Sequence, residues 1–128
     1  MKNNFTRNER LKSRKEIQSI FTSRKSIAVD HLRIFWDYSF LNSTEKVKIG
    51  FSVPKKLIKK AVDRNLIKRR LREIYRLNKK LLEPIKRTEH EKCLNLMLVY
   101  KGPFNVNYFD LNQNYINLIE KLEKRITS

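Results

Sequence analysis

The sequence predicts an α/β (α+β) fold, a two-layer sandwich of helices on a small sheet, in the order α-β-β-β-α-β-α with about four strands. Three observations carry this. HLRIFWDYSF at 31–40 and KVKIGFSV at 46–53 alternate apolar and polar residues, the period of two that marks a strand with one buried face. LNLMLVY at 94–100 is almost continuously apolar, as suits a strand covered over most of a face. Around these strands apolar residues recur three and four apart, the spacing that a helix gathers onto one side.

Taken in order, residues 1–12 read as a basic N-terminal arm. SRKE at 13–16 fits a capping box and leads into Ile17, Ile20 and Phe21 at helical spacing, so a first helix spans 13–23. SIAV at 26–29 adds a short edge strand. In the next strand Leu32, Ile34, Trp36, Tyr38 and Phe40 oppose His31, Arg33, Phe35, Asp37 and Ser39. In the one after it Val47, Ile49, Phe51 and Val53 oppose Lys46, Lys48, Gly50 and Ser52, and the turn-forming LNST at 41–44 suggests that the two strands form a hairpin-like pair. Beyond Pro54, Asp63 is placed to cap a helix that starts at Arg64 and runs to Leu82, before Pro84. The polar KRTEHEK precedes LNLMLVY, which is expected to be central in the sheet. Leu111, Tyr115, Leu118, Ile119, Leu122 and Ile126 then share one side of a C-terminal helix. No repeat, low-complexity linker or proline-rich break divides the chain, so residues 1–128 form a single domain.

Charge narrows the function. The chain of 128 residues carries 30 Lys plus Arg against 13 Asp plus Glu, a formal charge of +17. A soluble domain needs a net charge magnitude of only about 2 to 8. Self-repulsion on this scale calls for a polyanionic partner. No run approaches the roughly 20 apolar residues of a spanning helix, and the N-terminus lacks the apolar centre of a signal peptide, so a cytoplasmic protein without membrane partners is expected. The lone Cys93 is read as a small apolar filler. His31 and His90 stand apart without metal-ligand spacing, and the two glycines, Gly50 and Gly102, make no phosphate-binding loop. A metal site on the protein and an autonomous nucleotide-using enzyme are both disfavoured.

VDRNLIKRRLRE at 62–73 crowds positive charge onto an element that also supplies apolar residues. At 100° per residue the two sets separate. Leu77, Leu81, Ile74, Ile67, Leu71, Leu82 and Tyr75 fall within about 160°, whereas Lys68, Lys79, Arg72, Asn65, Arg76, Arg69 and Lys80 fall within a neighbouring arc of about 120° that holds no acid. Leu66 lies near the border, and Glu73 lies just beyond the cationic arc. A solvated face mixes Glu with Lys to gain i, i+4 pairs. One without acids suits nucleic acid, with Asn65 placed to bond a base edge or sugar. A second surface combines Phe21 on the first helix with Phe35 and Arg33 on the strand, two rings for stacking unpaired bases and a cation beside them.

GFSVPKKLIKKAVDRNLIKRRLREIYR at 50–76, RLKSRKEIQSIF at 10–21 and LMLVYKG before the last helix resemble, in order and spacing, the protein subunit of bacterial ribonuclease P. The resemblance covers nearly the whole chain. It implies that the basic helix lies in a left-handed crossover between two parallel strands, a hand that connections of this kind almost never take. It implies that the catalytic RNA is contacted by Lys55, Lys56, Arg64, Asn65, Lys68, Arg69 and Arg72, to which the cationic arc adds Arg76. It further implies that Ile17, Phe21, Arg33 and Phe35 line a cleft for the single-stranded 5′ leader of precursor tRNA. There are two departures: Leu66 replaces the second arginine of the usual RNR, and Ile17 stands where an aromatic residue is common. By the same resemblance the RNA subunit performs the chemistry with Mg2+ that it binds itself, and one protein serves each RNA. The alternatives are a ribosomal-type structural RNA-binding protein and an autonomous nuclease, which would need acids clustered rather than scattered.

Overall fold

The computed structural model describes residues 5–40, 45–88, 92–104 and 106–127. Helix α1 (Arg14–Thr22) begins where Ser13 Oγ accepts the amide of Glu16 at 3.2 Å, one half of the expected capping box. Strand β1 (Ser26–Val29) turns back into β2 (Leu32–Phe40) through Asp30, whose φ of 48° is a left-handed conformation that aspartate tolerates. Strand β3 (Val47–Ser52), helix α2 (Ala61–Leu77), a 3-10 turn at Lys79–Leu82, helix α3 (Glu83–Thr88), strand β4 (Lys92–Tyr100) and helix α4 (Tyr108–Thr127) follow.

The sheet runs β1-β2-β4-β3. β2 and β3 therefore do not form the expected hairpin. β4 separates them, antiparallel to β2 with Phe35 opposite Met97, and parallel to β3 with Gly50 also opposite Met97. The reason is physical: alternation fixes which face of a strand is buried and is silent about its neighbour. From Cys93 to Tyr100 every residue of β4 is buried, and only a central position pairs both of its edges while covering both of its faces. The expected turn at 41–44, like His90, lies outside the described residues.

Alternate residues along the strands build two clusters. Ile34, Trp36, Leu96, Leu98 and Ile49 point to one face, where Ile67, Leu71, Ile74 and Tyr75 of α2 meet Leu111, Tyr115, Leu118 and Leu122 of α4. Met97 and Phe35 point to the other face, against Ile20 and Ile17 of α1 and Leu11 of the arm. Cys93 is buried as expected, and burial pushes its thiol pKa up.

The basic helix differs from its expectation at both ends. It starts at Ala61 rather than Arg64, so Asp63 sits in the first turn, facing the positive end of the helix dipole, instead of capping it. It ends at Leu77 rather than Leu82. Asn78 closes it, with Nδ2 donating to Ile74 O at 2.8 Å and to Asn112 Oδ1 of α4 at 2.9 Å. Pro84 enters the first turn of α3, where a missing N–H costs nothing, and so does not mark the stop. Leu77, expected in the core arc, is 52% exposed because the helix terminates there.

Candidate nucleic-acid interface

Burial on α2 splits as the angular sorting requires: Ile67, Leu71, Ile74 and Tyr75 are buried, while Asn65, Arg69 and Arg72 are exposed and Lys68 is half-buried. Lys55 and Lys56 stand exposed on a turn just before the helix. That turn is closed by the amides of Leu57 and Ile58 on Pro54 O and anchored by buried Ile58. Arg64 bends back to it, its Nη1 donating to Ile58 O at 2.9 Å and Lys59 O at 2.7 Å. It thereby ties the lysine turn to the helix.

Two cations of the expected arc are engaged within the protein. Arg76 pairs with Glu73 one turn earlier, which keeps its guanidinium firmly charged. Lys79 lies beyond the end of α2 and donates to Glu9 Oε1 at 2.8 Å. Lys68, Arg69, Arg72 and Lys80 have no carboxylate partner among the described residues.

Sequence reasoning missed Glu9. This carboxylate is 3% exposed, inside an otherwise basic arm. It also accepts the Tyr75 hydroxyl, the Thr6 amide at 3.0 Å and the Thr6 hydroxyl at 2.9 Å. Burial alone would raise its pKa. The bonds from Lys79, Tyr75 and Thr6 outweigh burial and hold it below the ordinary carboxylate value. Burial, and then the bond to Glu9, push the Tyr75 phenol well above its ordinary range, so it remains a donor. The available signal was Thr6-x-x-Glu9, the spacing of a capping box. The arm is thus docked: Phe5 packs edge-on against Phe51 and Tyr75, and the Leu11 amide donates to Ile49 O at 3.0 Å, along the outer edge of β3.

On the opposite face Ile17, Phe21 and Phe35 come together. The rings of Phe21 and Phe35 meet edge to face at 4.9 Å, with Phe21 40% exposed. Ile17 and Phe35 pack on Ile20 and Met97. Arg33 lies two residues from Phe35 on the same face of β2, and its Nη1 donates to Ser26 Oγ at 2.8 Å. Ser19 Oγ to Asp37 Oδ2 at 2.6 Å and Ser23 Oγ to Trp36 O at 3.0 Å fix α1 across the strand. Elsewhere, no described helix is long and apolar enough to cross a membrane, and no group of three His, Cys, Asp or Glu among the described residues could hold a metal ion.

The family model for ribonuclease P matches residues 5–123. A ribonuclease P protein component from Desulfosudis oleivorans is 30% identical over 125 residues, covering 97% of this chain and 93% of that one. One from Porphyromonas gingivalis is 38% identical over 81 residues, spanning 63% of this chain and 59% of its own length. Among solved structures, the RNase P protein from Thermotoga maritima superposes with a TM-score of 0.67 at 24% identity, over 88% of this chain and 96% of that one. The RNase P protein of Staphylococcus aureus gives 0.65 at 19% identity, over 89% and 94%.

Proposed function

Because this chain belongs to the bacterial ribonuclease P protein family, we propose that it binds the catalytic RNA through the outer face of α2 and the preceding lysine turn, and the 5′ leader of precursor tRNA along α1 and β2. The carrying observation is the separation on α2 of a side buried at Ile67, Leu71, Ile74 and Tyr75 from an outer side where Asn65, Lys68, Arg69 and Arg72 meet no acid among the described residues. Lys and Arg displace condensed counterions from RNA and lower the repulsion between two polyanions, catalyst and substrate. Lys55, Lys56 and Arg64 extend the same surface toward the turn, and Arg76 carries its charge at the far end, shared with Glu73. On the other face the edge-to-face pair Phe21 and Phe35, with Ile17 beneath and Arg33 beside, offers an unpaired strand apolar contact and charge that a duplex could not reach.

In this reading the RNA subunit cuts the precursor with Mg2+ held on its own phosphates, and the protein supplies placement, in the cytoplasm and as one protein per RNA. Docking the two RNAs together assembles phosphate ligands for the ions, so the protein lowers the Mg2+ requirement. Adding the protein to its cognate RNA at low Mg2+ is expected to raise precursor cleavage to a mature 5′ end, and the protein alone is expected to leave the precursor intact. No gain in cleavage would instead support a purely structural RNA-binding role. Cleavage by RNA-free protein would overturn the division of labour.

A further inference from the structure

Where the docked arm crosses β3, it and α2 enclose a groove of about 430 Å³ with Arg10 and Lys12 on one wall and Lys68 and Arg72 on the other. Phe5 and Phe51 form part of its lining, and Arg10 rests over the Phe5 ring at 5.1 Å. Gly50 lies beneath. A Cβ there would stand 2.8 Å from Met97 Sδ, so glycine leaves room for the Met97 side chain, and it would meet Leu11 Cβ of the arm at an ordinary contact distance of 3.5 Å. A second recess of about 360 Å³ shares Arg10 and Lys12 and continues to Arg7 and Lys48. Among the described residues, Glu16 is the one acid lining either recess. Glu9, the acid nearest in sequence to Arg10, is turned inward to Tyr75 and Lys79 and does not line the groove.

The chain therefore uses its buried carboxylate to bring more cations up to an already cationic helix. Such an arrangement opposes folding on its own account and is offset by an anion held between the walls. The recess is concave and continuous with the outer face of α2. A strand of RNA leaving that face enters it without a break, since Lys68 and Arg72 belong to both. We propose that arm and helix together clamp one strand of the catalytic RNA by its phosphates, with Arg10 and Lys12 as contacts and Glu9 as the positioning residue that holds them in place. This rests on the reading of α2 as the face that meets the catalytic RNA.

The test measures affinity for the cognate RNA subunit as a function of salt. The double variant Arg10→Ala/Lys12→Ala is expected to flatten the slope of log K against log salt by about 1.5 to 2 units and to weaken binding roughly tenfold near physiological salt. Lys121→Ala/Lys124→Ala removes equal charge from α4 and is expected to leave the slope unchanged. Glu9→Ala, with folding checked by circular dichroism, is expected to reproduce the slope loss. Arg10→Ala/Lys12→Ala added to it should then cost little more, an interdependence that general destabilisation would not create. If the wild type binds and the Arg10/Lys12 variant keeps its slope, the groove is wrong while the reading of α2 stands. Equal losses from the α4 variant, or a loss seen only with leader-bearing precursor tRNA, also overturn the groove. A wild type that does not bind the RNA subunit overturns both.

Discussion

On one side of the sheet α2 stands on a large cluster that it shares with α4, and the residues that anchor it, Ile67, Leu71 and Ile74, are not those proposed to meet RNA. On the other side α1 rests its Ile20 on Met97 and Leu11, and there Ile17 and Phe35 both pack the helix and face the proposed leader. The contrast teaches that charge can be added to a helix without touching its packing, because long basic side chains leave the backbone outward. Stacking rings cannot be separated in this way, since the apolar area that would hold a base is the area that holds the helix. The first surface is expected to tolerate substitution with its fold intact. The second is expected to lose fold and ligand together.

The largest test of the contrast compares two residues with no exposed surface, Leu71 and Ile20. Leu71→Ala should cost about 2–5 kcal/mol in denaturant unfolding, since the α2–α4 cluster has no route to collapse onto the cavity. Ile20→Ala should fall at the low end of that range, about 2 kcal/mol, because α1 can settle toward Met97. It should weaken precursor binding far more than binding to the catalytic RNA. Equal stability losses with equal losses for both RNAs would show the two sides to be one cooperative surface.

Phe35 sharpens the comparison. Phe35→Leu keeps apolar volume against Ile20 but removes the ring, and base stacking on an aromatic is worth about 1–3 kcal/mol. Precursor tRNA should therefore bind roughly 5- to 150-fold more weakly, with mature tRNA unchanged. Identical losses for both would remove the leader from this face. Smaller again is the effect of a single cation on α2: Arg72→Ala or Lys68→Ala should leave unfolding within about 0.5 kcal/mol of wild type. Each should lower the salt slope for the catalytic RNA by about one unit. Loss of stability without a change in slope would place these side chains in the fold rather than at the RNA.

What could be read from the sequence follows the same division. Element type and buried face were legible, since alternation in Leu32–Phe40 and the 100° sorting of α2 are local properties that packing preserves. Strand neighbours were not: nothing local in β2 or β3 states that β4 will come between them. The end of α2 was misplaced because Asn78 stops it through a bond to Asn112 of α4, 34 residues away. Ile17, Phe21 and Phe35 were brought together as expected, by a resemblance more than by their own pattern. Arg64, Arg76 and Lys79 were counted as outward charges, yet each engages a protein oxygen, at Ile58 and Lys59, at Glu73 and at Glu9. Angular position gives direction from the axis and not what a long side chain finds there.

Glu9 offers the finest test, because it ties the arm to the α2 side by charge rather than by packing. Its folded pKa lies below the ordinary carboxylate value, burial being outweighed by Lys79, Tyr75 and Thr6. The folded state therefore binds this proton less readily than the unfolded chain does. The stability it contributes is fully present above the unfolded carboxyl pKa and is lost as pH falls through the folded one. Glu9→Gln keeps the side chain's shape but removes the charge facing Lys79 and leaves one acceptor oxygen in place of two, so it can serve either Tyr75 or the Lys79 and Thr6 donors. Wild type should be the more stable at pH 7, and the gap in Tm between the two should close as pH is lowered below the usual carboxylate range. A gap that stays constant through that range would mean that shape rather than charge docks the arm, and the α2 side would then depend on packing as the α1 side does.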